Sequence, residues 1–257
     1  GDASRRYADF SVDTKNQQLL AVCEQHKETS HEPQNLLVSI DLATGKEKEL
    51  HTGHDFYASP RVERQNNTQN SEIAFVAWDH PNMPWDHTLL YRGALLPGAV
   101  AELQQLVGPN NSAQESVSQP LWLEDGKLLF ASDRSGFWNL YVHDGTQVFG
   151  LHNDEAEYAS PGWVFGLRET IQLANGEIAS VRQAGGLGAL HRYALPQTQK
   201  PVKVQTRPEL VSNQFAGYHA LCCDHTRLYA IADQTDGFAC LVAVELATGK
   251  TEVLRTA

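Results

Sequence analysis

Short apolar runs alternate along this chain with polar stretches rich in Gly, Pro, Asp and Asn, and the runs are too short for helices. Leu36-Leu37-Val38-Ser39-Ile40, Ile73-Ala74-Phe75-Val76-Ala77 and Leu128-Leu129-Phe130-Ala131-Ser132 are typical: aliphatic and aromatic, bounded by turn residues. Asp-Gly and Thr-Gly pairs between such runs, at Asp125-Gly126, Asp144-Gly145, Thr44-Gly45 and Thr248-Gly249, predict tight hairpins. Only residues 101–107 read as either a weak helix or a strand.

The runs fall into five similar segments, each a small or aromatic lead-in, a strand, a polar loop and a return strand. The lead-ins are Tyr7-Ala8-Asp9-Phe10, Tyr57-Ala58-Ser59-Pro60, Val117-Ser118-Gln119-Pro120, Tyr158-Ala159-Ser160-Pro161 and the stretch opening at Tyr218. Their spacing of about 40 to 60 residues is that of four-stranded propeller blades. The expectation is an all-β chain, a β-propeller of four-stranded antiparallel blades with about five blades, in a single domain over residues 1–257. The blades are expected near 7–50, 57–107, 117–151, 158–205 and 214–254. Gly53-His54 and Trp78-Asp79 mimic the signature of Trp-Asp repeat propellers. Here, however, the Trp-Asp pair closes a second strand, and no other segment repeats it.

Composition narrows the function. A formal net charge of −11 disfavours general nucleic-acid binding, which needs Lys and Arg to displace counterions. Hydrophobic residues at 41% and charged residues at 20% suit a packed core. No apolar run approaches the roughly 20 residues that span a bilayer, so no membrane partner is expected. The four cysteines, Cys23, Cys222, Cys223 and Cys240, lack C-x-x-C spacing and sit in apolar stretches. That pattern suggests buried, reduced thiols and a cytoplasmic location. The chain opens on Gly1, which leaves a lost leader open.

One segment stands apart: Trp78-Asp79-His80-Pro81-Asn82-Met83-Pro84-Trp85-Asp86-His87, which holds the only Met of the chain. Two Pro exclude a helix interior or a central strand, so it is a stiff loop between strands. Its tryptophans either form a stacking surface for a ligand or brace the loop against a neighbour.

The segment belongs to a set with His54-Asp55-Phe56-Tyr57-Ala58-Ser59-Pro60-Arg61, Ser132-Asp133-Arg134-Ser135-Gly136-Phe137-Trp138-Asn139-Leu140-Tyr141, Trp163-Val164-Phe165-Gly166 and the opening Arg6-Tyr7-Ala8-Asp9. Together they resemble the propeller domain of bacterial prolyl oligopeptidase-family serine peptidases, of the dipeptidyl aminopeptidase/acylaminoacyl-peptidase type. The Ser-Asp-Arg-Ser-Gly string is the less specific part, since TolB-like propellers carry similar ones. The resemblance implies an α/β-hydrolase domain with a Ser-Asp-His triad as the partner of this propeller, and a peptide substrate. No G-x-S-x-G nucleophile elbow occurs in this sequence, so no catalytic residue is assigned to it. About two further blades before Arg6 are implied as well, which would make this chain a five-blade fragment of a seven-bladed ring. Whether five blades close or stay open is undecided by sequence.

In such propellers the loops between the second and third strands, and those leading into the next blade, emerge toward the catalytic domain. That places Asp79, His80, Asn82, Trp85 and Asp86, together with His54, Tyr57, Arg134, Glu155 and Glu157, as candidates for substrate or interdomain contact. Related dipeptidyl peptidases hold the free N-terminus of a substrate with propeller carboxylates. The ammonium group needs paired anions, and Glu155 with Glu157, or Asp79 with Asp86, would supply them. The alternative for each is a solvated acidic loop. His51, His54, His80 and His87 lack helical i, i+4 spacing and an evident third ligand, so neither metal nor cofactor is expected. The rival readings are a TolB-like interaction module and a propeller polysaccharide lyase with a His-lined metal.

Overall fold

The computed structural model describes residues 4–27, 32–63, 71–108, 114–195 and 208–257. These hold 20 strands in five four-stranded antiparallel sheets, and no helix. The first sheet is β1 (Arg5–Asp13), β2 (Gln18–Gln25), β3 (Gln34–Asp41) and β4 (Glu47–His51). The second is β5 (Phe56–Val62), β6 (Ser71–Trp78), β7 (Leu89–Leu96) and β8 (Ala99–Val107). The third runs β9 (Val117–Trp122), β10 (Leu128–Ser132), β11 (Asn139–His143) and β12 (Val148–Gly150). The fourth is β13 (Thr170–Gln172), β14 (Ile178–Ala184), β15 (Leu187–Tyr193) and β16 (Glu209–Ser212). The fifth is β17 (Gly217–Cys223), β18 (Arg227–Asp233), β19 (Cys240–Glu245) and β20 (Thr251–Thr256). Each sheet is a meander in which every strand pairs with its sequence neighbour, the construction of a propeller blade. The ambiguous stretch at 101–107 is a strand, part of β8.

The chain divides into two compact units, Gly1–Lys127 with Pro161–Phe165, and Leu128–Ser160 with Gly166–Ala257. In the first, Leu20, Val22 and Leu37 of one sheet pack against Ile73, Phe75 and Leu95 of the next. In the second, Val181 and Leu190 pack against Leu228, Ala230 and Val242. Fully burying each such side chain is worth roughly 1.5–3 kcal/mol, and alternation along the strands delivers them to the inner faces.

The lead-in motif found in the sequence has a backbone meaning. Asp9, Ser59, Gln119 and Ala220, the third residue of four of the five lead-ins, all have φ between 51° and 55°. In β1, β5 and β17 the register to the next strand slips at this residue, so the motif marks a bulge. Non-glycine residues in the left-handed region cost about 1–2 kcal/mol. In the first unit that cost is offset from outside the strand. The Asp9 carboxylate accepts the Ser59 N–H at 2.6 Å and pairs with Arg61 at 3.0 Å, so one blade's bulge holds the next.

The fourth lead-in behaves differently. Tyr158-Ala159-Ser160-Pro161 was expected to open a strand, yet the fourth sheet begins at Thr170. Glu157 forms an isolated two-way bridge with Gln183, at 2.9 and 2.8 Å, and pairing resumes where the Val181 N–H reaches Glu169 O at 2.8 Å. Between these points the chain leaves the sheet and returns. The Glu169 carboxylate closes the neck by accepting both the N–H (2.7 Å) and the hydroxyl of Ser160. Pro161, which has no N–H to give a ladder, starts the excursion.

The cysteines are free, as their spacing suggested, but not uniformly buried. Cys23 and Cys240 are in the core, Cys223 is half-buried and Cys222 is exposed. Adjacent strand residues face opposite sides, so Cys222 and Cys223 cannot share the inner face.

Candidate functional site

The loop 78–87 is two successive turns fastened to the strands that bear it. In the first turn the Asn82 N–H donates to Asp79 O at 3.0 Å, and the Asn82 side-chain amide to the same carbonyl at 3.2 Å. In the second, the Asp86 carboxylate accepts the Met83 N–H at 2.9 Å while the Asp86 N–H returns to Met83 O at 2.9 Å. Short side chains that satisfy nearby backbone groups are what turns select, which explains Asp and Asn at these places.

The first turn is tied to the lead-in of the same blade by a reciprocal pair of aspartates. Asp79 accepts the Asp55 N–H at 2.8 Å, and Asp55 accepts the His80 N–H at 2.9 Å. The second Asp79 oxygen takes Nδ1–H of His54 at 2.8 Å, and Nε2 of that ring faces the Tyr91 hydroxyl at 3.0 Å. Behind them the Tyr57 hydroxyl accepts the His54 N–H at 3.1 Å and donates to Nδ1 of His51 at 2.9 Å. Burial works against the charge on Asp79, but His54 and the Asp55 N–H outweigh it and hold its pKa below the usual value. Burial depresses His51, with help from neighbouring His54, and pushes Tyr57 up to about 12. The cluster therefore carries its negative charge on Asp79 while the phenols stay protonated. Both His54 nitrogens and both Asp79 oxygens have partners, so this network is a brace that fixes the loop.

The brace leaves the other side of the loop outward. His80, Pro81, Met83 and Asp86 are exposed, and Asn82 and Trp85 are half-buried. Trp78 lies inward, stacked on Phe56 at 5.2 Å, with the His80 ring edge-on to Phe56 at 4.9 Å. The Trp85 ring meets Trp163 with centroids 4.2 Å apart.

The second unit holds the other sequence candidates. Arg134 lies over the Tyr141 ring at 4.7 Å, and its Nε donates to the Ser132 hydroxyl at 3.2 Å. Glu155 is exposed. Glu157 is committed to the fold, since its carboxylate accepts the Trp138 N–H at 2.7 Å. A third carboxylate, Asp154, is gripped by Arg182 at 2.5 and 3.0 Å and accepts the Tyr158 hydroxyl at 2.8 Å. Arg182 holds Asp154 below the usual carboxylate range, and Asp154 holds Arg182 above the usual guanidinium range. Among the described residues no group of three or more His, Cys, Asp or Glu is placed to hold a metal ion.

The expected set is thus partly assembled. His54, Tyr57, Asp79 and His80 form one network, with Asn82, Trp85 and Asp86 in the turn beyond it. The residues that the sequence did not single out as site members are Asp55, Tyr91 and Trp163. The first two are ordinary strand and turn residues by pattern. Trp163 did carry a signal: an aromatic triplet, Trp163-Val164-Phe165, bracketed by Pro-Gly and Gly.

No family model and no curated protein matches the chain. Solved structures do. A Mycobacterium tuberculosis puromycin-hydrolyzing peptidase superposes with a TM-score of 0.82 at 29% identity, over 99% of this chain and 38% of its own. A puromycin hydrolase complexed with PGG matches with a TM-score of 0.82 at 25% identity, over 98% of this chain and 38% of its own. This chain is thus similar to the propeller part of such peptidases. It spans 38% of the length of those neighbours. TolB from Acinetobacter baumannii, with a TM-score of 0.59 at 12% identity, shares the fold alone.

Proposed function

We propose that this chain is the non-catalytic propeller of a serine peptidase, gating access to an α/β-hydrolase domain that cleaves short peptides and contributing substrate contacts from the loop 78–87. The hydrolase domain would supply the nucleophile for acyl transfer. The observation that carries the reading is the match at 29% identity, over 99% of this chain, to a puromycin-hydrolyzing peptidase. The geometry adds a rigid loop whose outward side chains are free of the brace that holds it, and binding residues are commonly mounted in this way. Of the carboxylates, exposed Asp86 and Glu155 are the ones available to a substrate ammonium. Asp86 spends one carboxylate oxygen on the Met83 N–H, whereas both oxygens of Asp79 are taken and Glu157 is bonded to the Trp138 N–H.

The test is kinetic, in the parent peptidase, with short peptide amides and with puromycin. Asp86→Asn and Glu155→Gln should raise KM by about three- to tenfold with little change in kcat if either carboxylate binds substrate uniformly. Unchanged constants in both variants would remove substrate contact from this reading.

A further inference from the structure

Two hairpins of this chain are built on the same turn. Leu123-Glu124-Asp125-Gly126-Lys127 joins β9 to β10, and Leu173-Ala174-Asn175-Gly176-Glu177 joins β13 to β14. In each, the leucine N–H reaches the carbonyl at the far end of the turn, Lys127 O at 2.9 Å and Glu177 O at 2.8 Å. The glycine N–H returns to the leucine carbonyl at 2.9 Å in both. The glycines stand at φ +80° and +83°, a conformation they adopt without the strain of a side chain. Before them, Asp125 accepts the Lys127 N–H at 3.2 Å and Asn175 accepts the Glu177 N–H at 3.1 Å. The two turns part company in their charges. Asp125 also takes the Lys127 ammonium, whereas Asn175 donates its side-chain amide to the Glu177 carboxylate at 2.7 Å. The backbone accepts either residue, but beside Glu177 only the neutral amide is a partner.

Asn175 is also the single asparagine of the chain that is followed by glycine. A glycine amide has no side chain to shield it, so its nitrogen can approach the side-chain carbon of the asparagine before it. Asn175 is exposed, and a Cβ placed on Gly176 would meet nothing within 4 Å, so neighbouring atoms do not block that approach. The reaction needs only water and a base from solvent. The base takes the Gly176 amide proton, the bond from Gly176 N to Asn175 Cγ forms, and the Cγ–Nδ2 bond breaks. Nδ2 takes a proton from the medium and leaves as ammonia. Water then opens the cyclic imide at either carbonyl, which leaves aspartate or isoaspartate. Two hydrogen bonds oppose the first step, from the Gly176 N–H to Leu173 O and from Nδ2 to Glu177, each with a net worth of about 0.5–1.5 kcal/mol.

We propose that Asn175 is a site of spontaneous deamidation, with the Glu177 carboxylate restraining its rate and then opposing its product. Aspartate at this position sets a second carboxylate against Glu177 where a hydrogen bond had been, and like charges held together in a hairpin destabilise it. Isoaspartate moves a side-chain carbon into the main chain, which carries the Gly176 N–H away from Leu173 O. Either product loosens the hairpin that opens the fourth sheet, and the matching turn in the third sheet is spared because it already holds Asp125 against a lysine.

The experiment ages the 257-residue chain at mildly alkaline pH and maps its peptides by mass spectrometry, with fragmentation that separates aspartate from isoaspartate. Both products should accumulate at residue 175. Glu177→Ala, which frees Nδ2, should speed the conversion by about threefold or more. Absence of conversion in the native chain, when the same chain unfolded in urea converts, overturns the site. An equal rate in Glu177→Ala overturns the restraint. Urea unfolding tests the consequence: Asn175→Asp should raise the unfolding equilibrium constant by about two- to fivefold, the scale of a facing like-charge pair. Adding Glu177→Gln to that variant should restore it. Unchanged stability in Asn175→Asp, or no recovery with Glu177→Gln, overturns the repulsion. Peptidase kinetics enter none of these readouts, so the outcome is independent of the substrate-contact reading.

Discussion

Asp9 shows how much one side chain can carry. It sits at φ 51° in its own strand, and its carboxylate, only 3% exposed, satisfies the bulge of the next strand through Ser59 and Arg61. Removing it leaves a partly buried guanidinium and a backbone donor without their acceptor. Asp9→Ala should lower stability by about 2–4 kcal/mol, and Asp9→Asn, which keeps an acceptor, by about 1 kcal/mol, both measured by urea unfolding. His152 is the residue with the clearest pH signature. Its Nδ1–H donates to the Asn139 amide oxygen at 2.9 Å, its ring lies 4.2 Å from that of Tyr158, and burial lowers its pKa to about 4. The unfolded chain takes up this proton near pH 6.5 and the folded chain only near pH 4, so the unfolded state binds more protons between those values. Stability contributed here is therefore intact above about pH 6.5 and lost as pH falls toward 4, by roughly 1.4 kcal/mol per unit across most of that window. Asp154, whose pKa Arg182 depresses, loses stability in the same direction at lower pH. Thermal unfolding from pH 7 to 4 should show the slope, and His152→Phe should flatten its upper part. An unchanged slope in that variant would assign the acid loss elsewhere.

At the scale of elements, the repeat is finer than the sequence shows. Where the third strand of a blade begins, a polar group reaches the lead-in that follows it. The Asn35 amide donates to Asp55 O at 2.6 Å, and Thr88 exchanges hydrogen bonds with Val117 at 2.8 and 2.6 Å. Asn139 donates to Asp154 O at 2.9 Å and accepts the Asp154 N–H at 2.7 Å. In the fourth blade the Gly188 N–H does the work alone, reaching Ala216 O at 2.7 Å with Gly217 Cα only 3.1 Å from where a side chain would start. Asn139 is fully buried and makes the most of these bonds, so Asn139→Ala should cost about 3 kcal/mol, and Thr88→Val about 1 kcal/mol, by denaturant unfolding. These clasps share a position but not a single residue type: Asn serves in two blades, and Thr and a bare glycine backbone meet the same need for a hydrogen bond in the others. Sequence comparison between segments passes over them for that reason. The lead-ins were visible as recurring letters, but their bulges were not, since Gln119 and Ala220 share the conformation without the Tyr-Ala-Ser-Pro letters and residues 158–161 carry the letters without it.

At the scale of the whole molecule, the all-β character and the five-sheet propeller architecture were written in the pattern itself. Strand alternation and hairpin turns are local properties, set by residues within a few positions of one another, so they survive in a one-dimensional reading. The loop 78–87 was legible too, because two prolines and two aspartates restrict the backbone wherever they stand. Tertiary structure decided the rest. It engaged both oxygens of Asp79 in holding its loop and one oxygen of Asp86 in its own turn, while Glu155 stayed exposed, a difference that acidic letters in polar loops do not contain. It interrupted the fourth lead-in, since Glu169 captures Ser160 from a position no local rule connects to it. It placed Trp163 against Trp85, turning two separated loops into one surface. Contacts between distant segments leave no period in the chain; they exist only once the sheets have packed, and there the candidate site was made.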